Sequence, residues 1–108
     1  MANYLLLYSG GGAMPEDEAE MKKGLQDWTD WYTRLGKAVV DEGKPFTPQA
    51  KSITSNGHIN VGAVECMASG YTIIKAESLD AAVALARSCP ILKLEGNISV
   101  YETFDMMM

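Results

Sequence analysis

Residues 71–90, YTIIKAESLDAAVALARSCP, carry the local signals that decide the fold. Tyr71 to Ala76 reads as a strand, with Tyr71 and Ile73 on one face and Ile74 on the other. Ser78 is a suitable N-cap, and Asp80 follows in the first turn, where negative charge meets the positive end of the helix dipole. The spacing predicts a helix from Leu79 to about Ser88, with Leu79, Ala82, Val83 and Ala86 as its buried stripe. Pro90 ends it. A strand that feeds a helix and is apolar on both faces belongs to a sheet covered on both sides.

The same two-faced pattern stands at the N-terminus. In Asn3 to Tyr8, Leu5 and Leu7 point one way while Tyr4, Leu6 and Tyr8 point the other. Ser9 and three glycines follow, a composition that elsewhere cradles phosphate. The signatures for that use are missing. GGGAMP lacks the third glycine of a dinucleotide fingerprint, and Ala13, Met14 and Pro15 replace the Gly-Lys-Ser/Thr of a P-loop. Glu16, Asp17 and Glu18 already occupy the start of the next helix and would repel an anion. The glycines read instead as a pliable connection at the mouth of a cleft, beside Tyr8.

A long helix is expected from Pro15 to about Glu42, with Met21, Leu25, Trp28, Tyr32, Leu35 and Val39 as one apolar stripe and Gly43 as its stop. GKPFTPQA is a loop. Lys51 to Ser55 and His58 to Val61 read as a hairpin around a type I′ turn at Asn56-Gly57. AVECMASG is either a loop or one helical turn. Asn97 to Phe104 is the last strand, with Ile98 and Val100 opposing Ser99 and Tyr101. The order is strand, helix, strand pair, helix, strand. Right-handed crossovers fold that order into a single α+β domain over residues 1–108, a ferredoxin-like βαββαβ sandwich with an antiparallel sheet and both helices on one face. The other sheet face is apolar and has no cover in the chain, so a homodimer packed face to face through the sheets is expected.

Composition narrows the partners. A net charge of −5 argues against a phosphate backbone and against an anionic membrane surface. No apolar run approaches a membrane span or a signal peptide, so a cytoplasmic protein is expected. Two cysteines, Cys66 and Cys89, make no disulfide framework, and one histidine makes a poor metal ligand set. Neither a metal nor a cofactor is expected.

NYLLLYSG, GYTIIKAESLDAAVALARSCP and GNISVYE, in this order and spacing, resemble the YCII-related or DGPF-domain family. Members open with a strand like KYLLLIY, carry a glycine-aromatic strand running into a DLDEAL helix that ends in CP or HP, and finish with GGSIEVRP. The resemblance implies a ferredoxin-like domain that dimerises into an α/β barrel. Relatives in the wider dimeric α/β-barrel group include muconolactone isomerase-like enzymes, monooxygenases and ligand-sensing domains. The family's signature DGPFAETKE is replaced here by the loop HINVGAVEC. Its aspartate falls on His58, its glutamate on Ala63 and its lysine on Glu65.

Candidate site residues follow. His58 can act as a general base, or it flanks a tight turn and faces water. Glu65 is a cleft acid or a solvated loop acid. Cys66 is a nucleophile only if its pKa is depressed, and otherwise a small hydrophobe. Trp31 lies one step off the helical stripe and is expected to border the cleft. Tyr8 and Ser9 end the first strand there; the Tyr8 hydroxyl can meet a ligand, or its ring can fill a dimer interface. The reading that results is a small organic molecule held in a cleft between sheet and helices, with isomerase, lyase or oxygenase chemistry. The alternative is a non-catalytic ligand-binding or structural homodimer module.

Overall fold

The computed structural model describes residues 1–11 and 17–105, and Pro15, the expected helix start, lies outside the described residues. The chain forms β1 (Ala2–Ser9), α1 (Glu18–Leu35), β2 (Val39–Asp41), β3 (Lys51–Ile53), β4 (Ile59–Val61), β5 (Ala68–Ala76), α2 (Leu79–Ala86) and β6 (Asn97–Glu102). Short 3-10 helices span Gly36–Ala38 and Pro90–Leu94. The main sheet has the order β2-β5-β1-β6, with every neighbouring pair antiparallel. β3 and β4 form a separate two-stranded sheet. Two helices and antiparallel sheets make an α+β arrangement compatible with a ferredoxin-like fold.

The second strand of the main sheet is not where the sequence puts it. The helical period runs from Leu35 to Val39, yet α1 stops at Leu35. Gly36 takes φ 56 and ψ −120, outside the helical region, while its N–H still bonds to the Tyr32 carbonyl. Val39 then leaves the helical stripe and pairs with Ile74 of β5. The hairpin expected to supply this strand stands apart. Its turn also differs: Gly57 has φ 85, whereas Asn56 keeps a negative φ. Gly57 N–H donates to the Thr54 carbonyl at 2.8 Å, and Thr54 N–H to that of His58 at 2.9 Å. The loop is therefore three residues long with a left-handed glycine at its end, rather than a two-residue type I′ turn.

Asp17 caps α1, its Oδ1 accepting from Ala19 N–H at 2.9 Å. Its buried side is Trp28, Trp31, Tyr32 and Leu35, while Leu25, expected in the stripe, is 67% exposed. Trp31 is fully buried and does not border a cleft. Its indole N–H donates to Ser88 Oγ at 3.0 Å, with the Leu85 carbonyl at 3.3 Å. The stripe of α2 is rotated as well. Ala82 and Ala86 face the core, with Ala81 and Leu85 beside them, and Leu79 and Val83 face outward. Small side chains let this short helix lie close on the sheet, and that closeness outweighs the greater hydrophobicity of Leu79 and Val83.

The core is one layer between the helices and one sheet face. Tyr4, Leu6 and Tyr8 of β1 and Ile74 and Ala76 of β5 meet Trp31, Ala82 and Ala86 there. Leu5, Leu7, Tyr71 and Ile73 point to the opposite face and are only half-buried.

Gly43 closes the turn out of β2, with φ 75 and its N–H donating to Asp41 Oδ1 at 2.8 Å. A Cβ there would overlap the Tyr71 carbonyl. Gly43→Ala should therefore lower stability by about 2 kcal/mol or more. Gly24→Ala, inside α1 with nothing within 4 Å of the added Cβ, should raise it by about 1 kcal/mol. Urea midpoints of the two variants and wild type would check both signs.

Candidate functional site

The open face of the sheet bears a groove of about 440 Å³ where β1 runs out toward its glycines. Register builds its floor. Leu7 pairs with Tyr71 on one side and Ser99 on the other, and Leu5 pairs with Ile73 and Tyr101. Direct cross-strand partners share a face, so Leu7, Ser99 and Tyr101 lie together. The wall is the irregular segment after β4, which brings Ala63, Val64, Glu65 and Cys66 to the groove. Ser9 and Ala68 complete the end.

That end carries a bulge. Tyr8 pairs with Gly70 but Ser9 with Ala68, so Ser69 has no partner in β1. Its hydroxyl is buried without a hydrogen-bond partner, while its carbonyl accepts from Phe46 N–H at 2.8 Å. Bulges bend strands and re-aim side chains, and they recur beside functional sites.

Glu65, Cys66, Ser9 and Tyr8 thus line one groove, but on the sheet face away from the helices and not in the cleft between sheet and helices where the sequence reading set them. Tyr8 reaches it with its polar end already committed. Its hydroxyl donates to Thr72 Oγ1 at 2.6 Å on the helical side. Thr72 donates on to the Glu42 carbonyl at 3.0 Å, and Tyr32 donates to the same carbonyl at 3.1 Å. His58 does not line the groove. It is exposed beside the hairpin turn, where its backbone N–H donates to Asn56 Oδ1 at 3.1 Å. The space between sheet and helices, where a cleft was expected, is filled. Trp28 packs edge-on against Tyr8 at 5.5 Å and against Trp31 at 5.8 Å between ring centres.

Ser99, Tyr101 and Val64 were missed as site residues. Their only sequence signal is the antiparallel pairing of the first and last strands, which sets Ser99 and Tyr101 beside Leu7 and Leu5. A second concavity, of about 470 Å³, lies between α1 and the Pro90–Leu94 turn. Asp27, Asp30, Arg34 and Lys93 line it, so its charges oppose one another. It has neither the bulge nor the unpartnered buried hydroxyl that adjoin the sheet groove, and we take the sheet groove as the site.

Among the described residues no three His, Cys, Asp or Glu side chains gather as a metal site. No described helix is long and apolar enough to cross a membrane. No protein-family model matches the chain, and no match to a curated protein is found.

Burial raises the pKa of Tyr8 far above its ordinary value, only partly opposed by its bond to Thr72. Burial likewise raises Tyr32 and Cys89. Burial therefore favours the protonated form of all three near neutrality. All are neutral in the fold, while the unfolded chain ionises its thiols and phenols near their ordinary values of 9.0 and 10.0. The unfolded state then holds fewer protons, so the stabilisation is complete below about pH 9 and is lost as pH rises beyond it. Melting temperature should stay level from pH 7 to about 9 and then fall. The fall should be shallower in Tyr8→Phe and Cys89→Ala, measured by circular dichroism.

Proposed function

We propose that this protein binds a small organic molecule in the groove on the open sheet face, as a homodimer packed through that face. The observation that carries the reading is the convergence of β1, β6, the start of β5 and the 63–66 segment on one concavity of ligand size. Ligand sites commonly enclose about 300–1,000 Å³ and join apolar walls to a few polar groups. Here Leu7 and Val64 supply apolar surface, Ser9, Ser99 and Tyr101 supply hydroxyls, and Glu65 supplies a carboxylate. That set suits a compact, partly apolar ligand with a hydrogen-bond donor to place against Glu65.

Membership of the YCII-related family, and with it a dimeric α/β barrel, is part of the proposal. Its support is the resemblance of the three sequence stretches and a sheet order of β2-β5-β1-β6 with its helices on one face. Chemistry of isomerase, lyase or oxygenase type is a second reading, favoured by Glu65 and Cys66 standing side by side in the wall. Glu65 would be its acid–base group. The exposed position of His58 at the hairpin favours binding without turnover.

A fragment library screened by ligand-observed NMR should return binders whose affinity falls at least tenfold in Tyr101→Ala. Bound ligand should also slow alkylation of the exposed Cys66. Binders indifferent to both would place the site elsewhere. Loss of turnover in Glu65→Gln with binding retained would select the catalytic reading. Light scattering at micromolar concentration should give twice the 11.7 kDa chain mass. A monomer would remove the sheet-face dimer.

A further inference from the structure

The sheet groove is one-sided in charge. Of the described residues that line it, Glu65 alone carries a formal charge, and no lysine, arginine or histidine stands among them. His58, the single histidine of the chain, sits apart at the hairpin turn. The wall is held together beside Glu65 and not through it. Ala63 N–H donates to Met67 Sδ at 3.3 Å, and the Cys66 thiol donates to the Met67 carbonyl at 4.0 Å. Around the carboxylate the groove offers the hydroxyls of Ser9, Ser99 and Tyr101 and the apolar surface of Leu7 and Val64. The second concavity is different in kind. There Asp27 and Asp30 are matched by Arg34 and Lys93, so it favours neither sign of ligand.

Register places two further charges on the same sheet face. Asp41 accepts from the Tyr71 hydroxyl at 3.2 Å, and Tyr71 is the direct partner of Leu7 on the groove floor. Its charge has the sign of Glu65. Lys75 pairs with Asn3, at the far end of β1 from the groove. From Asn3 to Leu7 the strand covers roughly 13 Å at about 3.3 Å per residue, beyond the screening length of about 8 Å at physiological salt. Lys75 is thus screened from the groove. The whole chain carries −5, and its field draws cations in the same sense.

We propose that the groove selects organic monocations, protonated primary amines on a compact apolar or aromatic body, with the ammonium held on Glu65. An ammonium has three donors and no acceptor. The Glu65 carboxylate takes one in a charge-assisted bond, and the Ser9, Ser99 and Tyr101 hydroxyls line the same groove as acceptors for the others. The body rests on Leu7 and Val64, and the Tyr101 ring adds an aromatic surface of the kind that attracts cations. A carboxylate or phosphate ligand meets no cation there and faces Glu65 at like charge. A neutral ligand of the same shape loses the ion pair. This assignment rests on the groove reading above and adds the charge of the ligand to it.

Matched amines, alcohols and carboxylates on three bodies (phenethyl, cyclohexylethyl and isopentyl) separate the two, read by ligand-observed NMR at low salt. On at least one body the amine should bind at least tenfold tighter than its alcohol and its carboxylate. Salt near 0.5 M should shrink that preference severalfold. Glu65→Gln should bring the amine within threefold of the alcohol. Asp30→Asn, in the second concavity, removes the same charge from the chain and should leave the preference unchanged. Amines that bind no tighter than their alcohols, or show no binding by about 10 mM, would overturn the assignment. So would a preference that survives Glu65→Gln or falls equally in Asp30→Asn. Alcohols that still lose tenfold in Tyr101→Ala would then leave the groove standing without its choice of charge. Probes indifferent to Tyr101→Ala as well would overturn both.

Discussion

A four-stranded sheet with apolar residues on both faces presents more surface than two helices can cover. The chain spends its helices on one side. There Trp31 of α1 meets Tyr4, Leu6 and Ile74, and the small side chains of α2 let that helix settle close. On the other side Leu5, Leu7, Tyr71 and Ile73 stay half-buried. The groove lies on this second side, and the bulge adjoins it. The candidate groove thus lies on what the helices leave uncovered, the face a two-layer fold leaves open.

Within the covered layer, one polar group organises the contacts. Thr72 is the buried polar residue of the core, at the centre of β5. It accepts from Tyr8 of β1, lies 3.3 Å from the Tyr32 hydroxyl of α1, and donates to the Glu42 carbonyl beyond β2. A buried hydroxyl without partners costs about 1–3 kcal/mol, and these bonds remove that cost while fixing three elements relative to one another. The network also explains why the Tyr8 phenol is unavailable to a ligand although the residue adjoins the groove. The tyrosine is spent on architecture, and the hydroxyls that line the groove are those of Ser9, Ser99 and Tyr101.

Much of the architecture was legible because it rests on local rules. The Ser78 cap and the alternation in β1 and β5 each decide a local structure without distant help. The failures share one cause. The Leu35-to-Val39 spacing satisfied a helix, but Gly36 ended α1 and a free edge of β5 captured Val39. Leu79 and Val83 ranked above Ala82 and Ala86 in hydrophobicity, but closeness to the sheet decided the rotation of α2. Trp31 was placed at a cleft because a single stripe was drawn too narrowly. For the candidate groove, the rewritten loop and the strand end named Glu65, Cys66, Tyr8 and Ser9, but set them in a cleft on the helical side of the sheet. Ser99 and Tyr101 were not legible, because their place depends on a register between residues some ninety positions apart.

The position of the tryptophans has an experimental consequence. Both sit on α1, Trp31 fully buried and Trp28 packed edge-on against Tyr8 and tilted against Tyr32, on the helical side of the sheet. The sheet-face groove and the hairpin hold no indole. Intrinsic fluorescence is therefore a reporter of the helix–sheet layer alone and will follow unfolding while staying silent to events on the other face. The phenol of Tyr101 and the thiol of Cys66 stand on that face, and a label on the thiol would give it an optical signal of its own.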